Sequence, residues 1–368
     1  MRRPLPPLWL AQPSRYAGLS PYAARVTLAV LAAVVLLSFT ALSSADPTAG
    51  GPAPGEGGDL QLYGGIVEAL RHGGGYYAVA ADALRTNDYP LRPFVTFRLP
   101  TLAVILAALP QWAIGALLYL LAGAATLAWY ERFKLGLGRP AARLGATLLL
   151  LGGSIACWQT DLVPFHEVWA GLLIALSLAR YRADRWLEAV GWGVAATLIR
   201  ETAALYLLVM LALAWRDGAR REALGWTAAI GAVAVVVATH AWAVAQVVGP
   251  LDPASPGWSG LLGPGFVVRT WQASTALVLF PLILAAPLVA LTIAGWTAWR
   301  DPTATRVAVT LASYALLLAT AGRLDTFYWG LLTAPVLLVG LAFVPDLLRD
   351  LTAAALDRRR IVVRRITS

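Results

Sequence analysis

Apolar runs of about 17–25 residues recur along this chain, and that is the length at which a helix crosses the hydrocarbon core of a bilayer. No other feature narrows the fold as much. The runs do not alternate apolar with polar residues, as the strands of a spanning barrel would. They predict an all-α polytopic membrane protein. Composition agrees, with 59% hydrophobic residues and only 13% charged, where a soluble domain carries about 25% charged. Ten spans are expected, at 24–43, 100–130, 144–158, 168–178, 187–198, 202–215, 225–248, 273–299 and 307–321, with the tenth ending near 344. Pro110-Gln111 interrupts the second.

The net charge of +9 does not point to nucleic acid, because the basic residues follow membrane topology. They gather before the first span, in Arg132 to Arg143, in Arg180 to Arg185, in Arg216 to Arg221, in Arg300 to Arg306 and in the tail RRRIVVRR. Between successive clusters there is room for an even number of crossings. Under the positive-inside rule both termini are then cytoplasmic. The expected organisation is a lead-in at 1–23, a first extracytoplasmic loop at 44–99, a transmembrane bundle at 100–346 and a basic tail at 347–368. Ser43-Ser44-Ala45 would pass as a signal cleavage site, but the long lead-in and the many later spans argue for an uncleaved first helix. The single cysteine, Cys157, lies in an apolar run and reads as a small buried hydrophobe.

The loop at 44–99 is the longest polar stretch. After a Gly/Pro/Ala linker, Leu60, Tyr63, Ile66, Val67 and Leu70 recur with helical spacing. Gly73-Gly74-Gly75 closes that helix, and a second short one follows from Tyr76 to Arg85. Both are expected to be amphipathic and to lie along the membrane surface. Asp59 opens the first, where it fits either a general base or a helix N-cap. Glu68 is expected to pair with Arg71 or His72. Arg200-Glu201 interrupts an apolar stretch where two short spans meet. Arg200 could hold a phosphate through two parallel hydrogen bonds, or pair structurally with a glutamate. Arg98 and Arg323 follow the same logic. His166-Glu167 with Asp161 matches no metal-ligand spacing, and no metal ligand is assigned. Tyr76, Tyr77, Tyr89 and Trp258 suit stacking on sugar rings and equally suit an interfacial aromatic belt.

Asp59-Leu-Gln-Leu-Tyr63, the GGGYY of 73–77, Tyr89-Pro90 with Arg92-Pro93, and LIRE at 198–201 together resemble the GT-C membrane glycosyltransferases. Organisation is similar over most of the chain, and residue-level similarity is confined to these segments. The resemblance implies a bacterial inner-membrane enzyme with a polyprenyl-phosphate sugar donor. Its acceptor would be an extracytoplasmic glycan, lipid or protein. It makes Asp59 the catalytic base and places Arg200, Arg98 or Arg323 on the leaving phosphate. Tyr63, Tyr76, Tyr77, Tyr89, Arg92, Glu201, His166 and Glu167 become candidate substrate contacts. Many relatives carry two neighbouring acids in this loop, whereas Asp59 has only Glu56 three residues before it. This leaves a divalent metal cofactor open. A flippase of lipid-linked glycans would show repeat symmetry and charges in mid-span. An envelope scaffold would tolerate loss of Asp59 and Arg200.

Overall fold

In a computed structural model the chain is described over residues 6–46, 58–258 and 260–357. Glu56, most of the linker before it and the basic tail from 358 lie outside those residues. The helices in order are α1 (Pro21–Ser38), α2 (Gly58–Arg71), α3 (Tyr76–Thr86), α4 (Thr101–Ala108), α5 (Gln111–Gly136), α6 (Pro140–Gly153), α7 (His166–Arg180) and α8 (Leu187–Ile199). There follow α9 (Ala204–Arg216), α10 (Arg220–Ala245), α11 (Gly263–Ala273), α12 (Leu282–Ala298), α13 (Pro302–Ala321), α14 (Ala334–Leu337) and α15 (Val344–Ala355). Among the described residues there are no strands beyond two isolated bridges.

α7 is the axis of the bundle. Every residue from His166 to Ala179 is buried, as expected of a helix that is apolar all round. Gly171 lets it press against the segment Leu324–Leu332, since a Cβ there would overlap the Leu331 carbonyl oxygen. Around it, large apolar side chains face outward on α1 (Val30, Val34, Leu36), α5 (Leu120, Leu127), α10 (Val235, Trp242) and α13 (Leu316). Such a band has no place on a soluble monomer. The all-helical bundle with an apolar outer band is that of a helical membrane protein.

Among the described residues, four helical stretches are long and apolar enough to cross a bilayer: Pro21–Leu42, Gln111–Gly136, Arg220–Ala245 and Pro302–Ala321. A bent pair, Leu324–Leu332 with Ala334–Ala355, makes five if counted as one. The other expected spans are shorter. α6 has 14 residues and α7 has 15, while α8 and α9 have 13 each. Polar residues cut them off, at Ser154 after α6 and at Arg200 between α8 and α9.

Three boundaries differ from the sequence expectation. The stretch expected at 100–130 is two helices. α4 ends at Ala108, two residues before Pro110, and lies against α2, where Arg71 donates to the Leu106 and Leu109 carbonyls at 3.0 and 3.1 Å. The loop expected at 249–272 contains α11, with Pro264 in its first turn, where a missing N–H costs nothing. The tail expected from 347 is helical to Ala355. α15 clasps the lead-in, since Asp346 accepts the N–H groups of Leu8, Trp9 and Leu10 at 2.7, 2.7 and 2.8 Å. Asp350 accepts that of Ser14 at 2.9 Å.

Candidate functional site

α2 and α3 form a small core of their own around Leu62, Ile66, Ala81, Leu84, Leu91 and Phe97. It roofs one end of the bundle. Glu68 pairs with both Arg71 and His72 on the outer side. Under the roof lies a cavity of about 680 Å³. α2 contributes Asp59 and Tyr63, and the chain before α4 contributes Tyr89 and Arg98. The α8–α9 break contributes Arg200, Glu201 and Thr202, and the segment after α13 contributes Arg323, Asp325, Tyr328 and Trp329. Trp258 closes one side from the loop before α11. That loop is tied down by Arg85, which grips Asp252 at 2.6 and 2.8 Å, and by the bond from the Leu91 N–H to the Pro253 carbonyl at 2.9 Å.

Asp59 does not cap α2. It is the second residue inside the helix, and its Oδ1 accepts the Tyr89 hydroxyl at 2.6 Å. Burial pushes its carboxyl above the usual carboxylate range. The Tyr89 hydrogen bond and the charge of Arg98 oppose that shift without cancelling it.

Two of the candidate cations, Arg200 and Arg98, have different surroundings. Arg200 is buried and committed. Its Nε–H donates to Glu167, and its Nη1 donates to Glu201 Oε2 at 3.0 Å. Glu201 Oε1 in turn accepts the Leu99 N–H at 2.6 Å. This is the structural Arg–Glu pairing, extended to a second glutamate. Arg98 forms no ion pair among the described residues. Its Nη2 lies 3.4 Å from the Tyr328 hydroxyl, its guanidinium is 5.7 Å from the Tyr63 ring centroid, and its Nε is buried with no partner. The backbone around it is fixed on both sides. Tyr76 donates to the Arg98 carbonyl at 2.6 Å, and the next residue's N–H holds Glu201. Arg323 is engaged by Asp325 and by Ser255 Oγ at 3.2 Å.

Other expected contacts lie off the cavity. His166 is buried behind Tyr63, with ring centroids 5.1 Å apart and neither ring nitrogen bonded. Glu167 is behind Arg200. Tyr76 faces the roof core, and Tyr77 bonds His240 Nδ1 at 3.2 Å. Arg92 is exposed, and its backbone pairs with the loop before α11. Tyr76 and Tyr77 belong to the roof and Arg92 to the chain that joins it to the loop before α11, while His166 and Glu167 belong to the buried α7, so these residues serve to join elements. Tyr328, Trp329 and Thr202 line the cavity without having been singled out. The signal for the first two was the polar turn GRLDTFYW between apolar runs. Trp329 Nε1, Thr202 Oγ1 and Arg98 Nε are all buried without partners. Buried polar atoms are ordinarily satisfied, so three open donors around one cavity suit a ligand rich in acceptors.

Among the described residues no three His, Cys, Asp or Glu side chains come together as a metal site. Of the acids that line the cavity, Glu201 and Asp325 are each held by an arginine. No protein-family model, curated protein or solved structure matches this chain.

Proposed function

We propose that this chain is a GT-C type membrane glycosyltransferase with ten crossings and both termini cytoplasmic. It moves a sugar from a polyprenyl-phosphate donor to an extracytoplasmic acceptor. One observation carries the reading: Asp59 and Arg98 line the same cavity, the first a carboxylate with one neutral partner, the second a cation without a carboxylate partner. In the proposed reaction the acceptor hydroxyl gives its proton to Asp59 as its oxygen attacks the anomeric carbon. The bond from that carbon to the phosphate oxygen breaks, and the phosphate leaves with the electron pair. Arg98 neutralises the charge growing on the phosphate, which is where a preorganised cation has most effect. The open donors at Trp329 and Thr202 suit sugar hydroxyls. Attack opposite the leaving group inverts the anomeric carbon.

The test is sugar transfer from radiolabelled polyprenyl-phosphate sugars by membranes holding wild type or Asp59→Asn at equal expression. Transfer by wild type that Asp59→Asn abolishes supports the reading. Equal transfer by both would keep the enzyme and remove Asp59 as its base. Absence of transfer from every donor would sink the proposal.

A further inference from the structure

At the end of the bundle opposite the cavity, the connection from α7 to α8 meets the last turns of α5. Between them lies a cleft of about 170 Å³ lined by Glu131, Arg132, Leu135, Arg180, Arg182 and Arg185, among others. Arg132 is only 7% exposed and is held in place. Its Nε–H donates to the Ala179 carbonyl at 2.8 Å, and its Nη1 is 3.9 Å from Asp301. Arg180 is 3.5 Å from Glu188, and Glu131 is taken by Lys134 at 2.7 Å. Arg182 and Arg185 are exposed and form no ion pair among the described residues. Four guanidinium groups therefore converge where the acids are already engaged.

The rim of this cleft is apolar. Leu135, 64% exposed, lines it and continues a stripe with Leu127 and Leu120 along one side of α5. Leu187, 69% exposed, stands at the start of α8 next to Glu188, which lines the cleft. A phosphate ion would use the arginines and leave the stripe bare. An amphiphile would use both.

We propose that this cleft binds the phosphate-bearing headgroup of an anionic lipid. The arginines hold the phosphate, and an acyl chain lies along the α5 stripe. A basic pocket between helices at the membrane surface has the chemistry for such a headgroup, and guanidinium forks match phosphate oxygens. The proposal is independent of the sugar-transfer reading.

The full chain in non-ionic detergent, where no charged surface contributes, is titrated with dioleoyl phosphatidylglycerol or dioleoyl phosphatidylcholine and followed by native mass spectrometry. Wild type should retain the phosphatidylglycerol adduct preferentially. The double substitution R182Q/R185Q should weaken it about tenfold or more, since charge-assisted hydrogen bonds to phosphate are the strong ones. The control pair R220Q/R221Q, on exposed arginines at the same end of the bundle, should leave it unchanged. Leu135→Gln should weaken the lipid but not inorganic phosphate. Equal weakening by the control pair, or no preference over phosphatidylcholine, would overturn the site. Arginine-dependent binding of inorganic phosphate with no advantage for the lipid would overturn the lipid as occupant.

Discussion

Two aspartates at opposite ends of the molecule have opposite surroundings. Asp346, beneath the lead-in, accepts three backbone N–H groups and lies 3.2 Å from Arg349. Asp59, beneath the roof, has one hydrogen bond, from a tyrosine hydroxyl. The first charge is solvated by protein almost as completely as water would do it, so it holds structure. The second is left partly unsolvated, and its raised pKa is the result. The arginines repeat the contrast. Arg200 has two carboxylates, while Arg98 has a phenol and an aromatic face. Polar groups with full partner sets join elements. Three with incomplete sets, Arg98, Thr202 and Trp329, surround one cavity.

That contrast can be broken or sharpened, and the largest effect is expected at Asp59. Asp59→Asn should lower transfer by about 10²–10⁴-fold without lowering Tm. The sign follows from linkage. A carboxyl whose pKa is raised on folding gives stability below its unfolded pKa and loses it as pH rises through the folded one. Near neutral pH the asparagine, which stays uncharged, should therefore hold Tm level or raise it. A fall in Tm matching the loss of rate would make Asp59 structural. Arg98→Gln should cost about 10²–10³-fold in kcat, again at nearly constant Tm. Asp346→Ala should do the reverse, removing about 3 kcal/mol of stability by leaving N–H groups unpaired, with transfer per folded molecule unchanged. Loss of transfer without a shift in melting would collapse the distinction between the two ends. Tyr89→Phe should have the smallest effect. The lost hydrogen bond was holding the Asp59 pKa down, so the acidic limb of the pH–rate profile should move to higher pH. A shift to lower pH would show that Tyr89 does not act on Asp59.

The roof was legible because its two helices are amphipathic and bounded by glycines, and local spacing carries that information. Asp59 and Arg98 were legible as ionisable groups beside apolar runs. The commitment of Arg200 was not, because one of its partners, Glu167, is 33 residues away and nothing in LIRE indicates it. The helix at Gly263–Ala273 was hidden by the prolines and glycines before it, although Pro264 is itself a start signal. The role of α15 was hidden because its apolar face is covered by α1 and α12 rather than by lipid, so the polar residues beside that face read as a solvated tail.

The clasp between α15 and the lead-in also bears on biogenesis. Residues 8–10 are synthesised well before their partner at position 346, which is made 336 to 338 residues later. At about 5–20 residues per second this is a delay of roughly 20–70 s. During that time the first segment has neither the Asp346 carboxylate nor the α5–α6 turn that pairs with Trp9 and Ala11 in its final setting. α15 completes the fit of the segment around residues 8–14, so a chain released before α15 is made would carry that segment undocked, a mark that a quality-control protease could recognise.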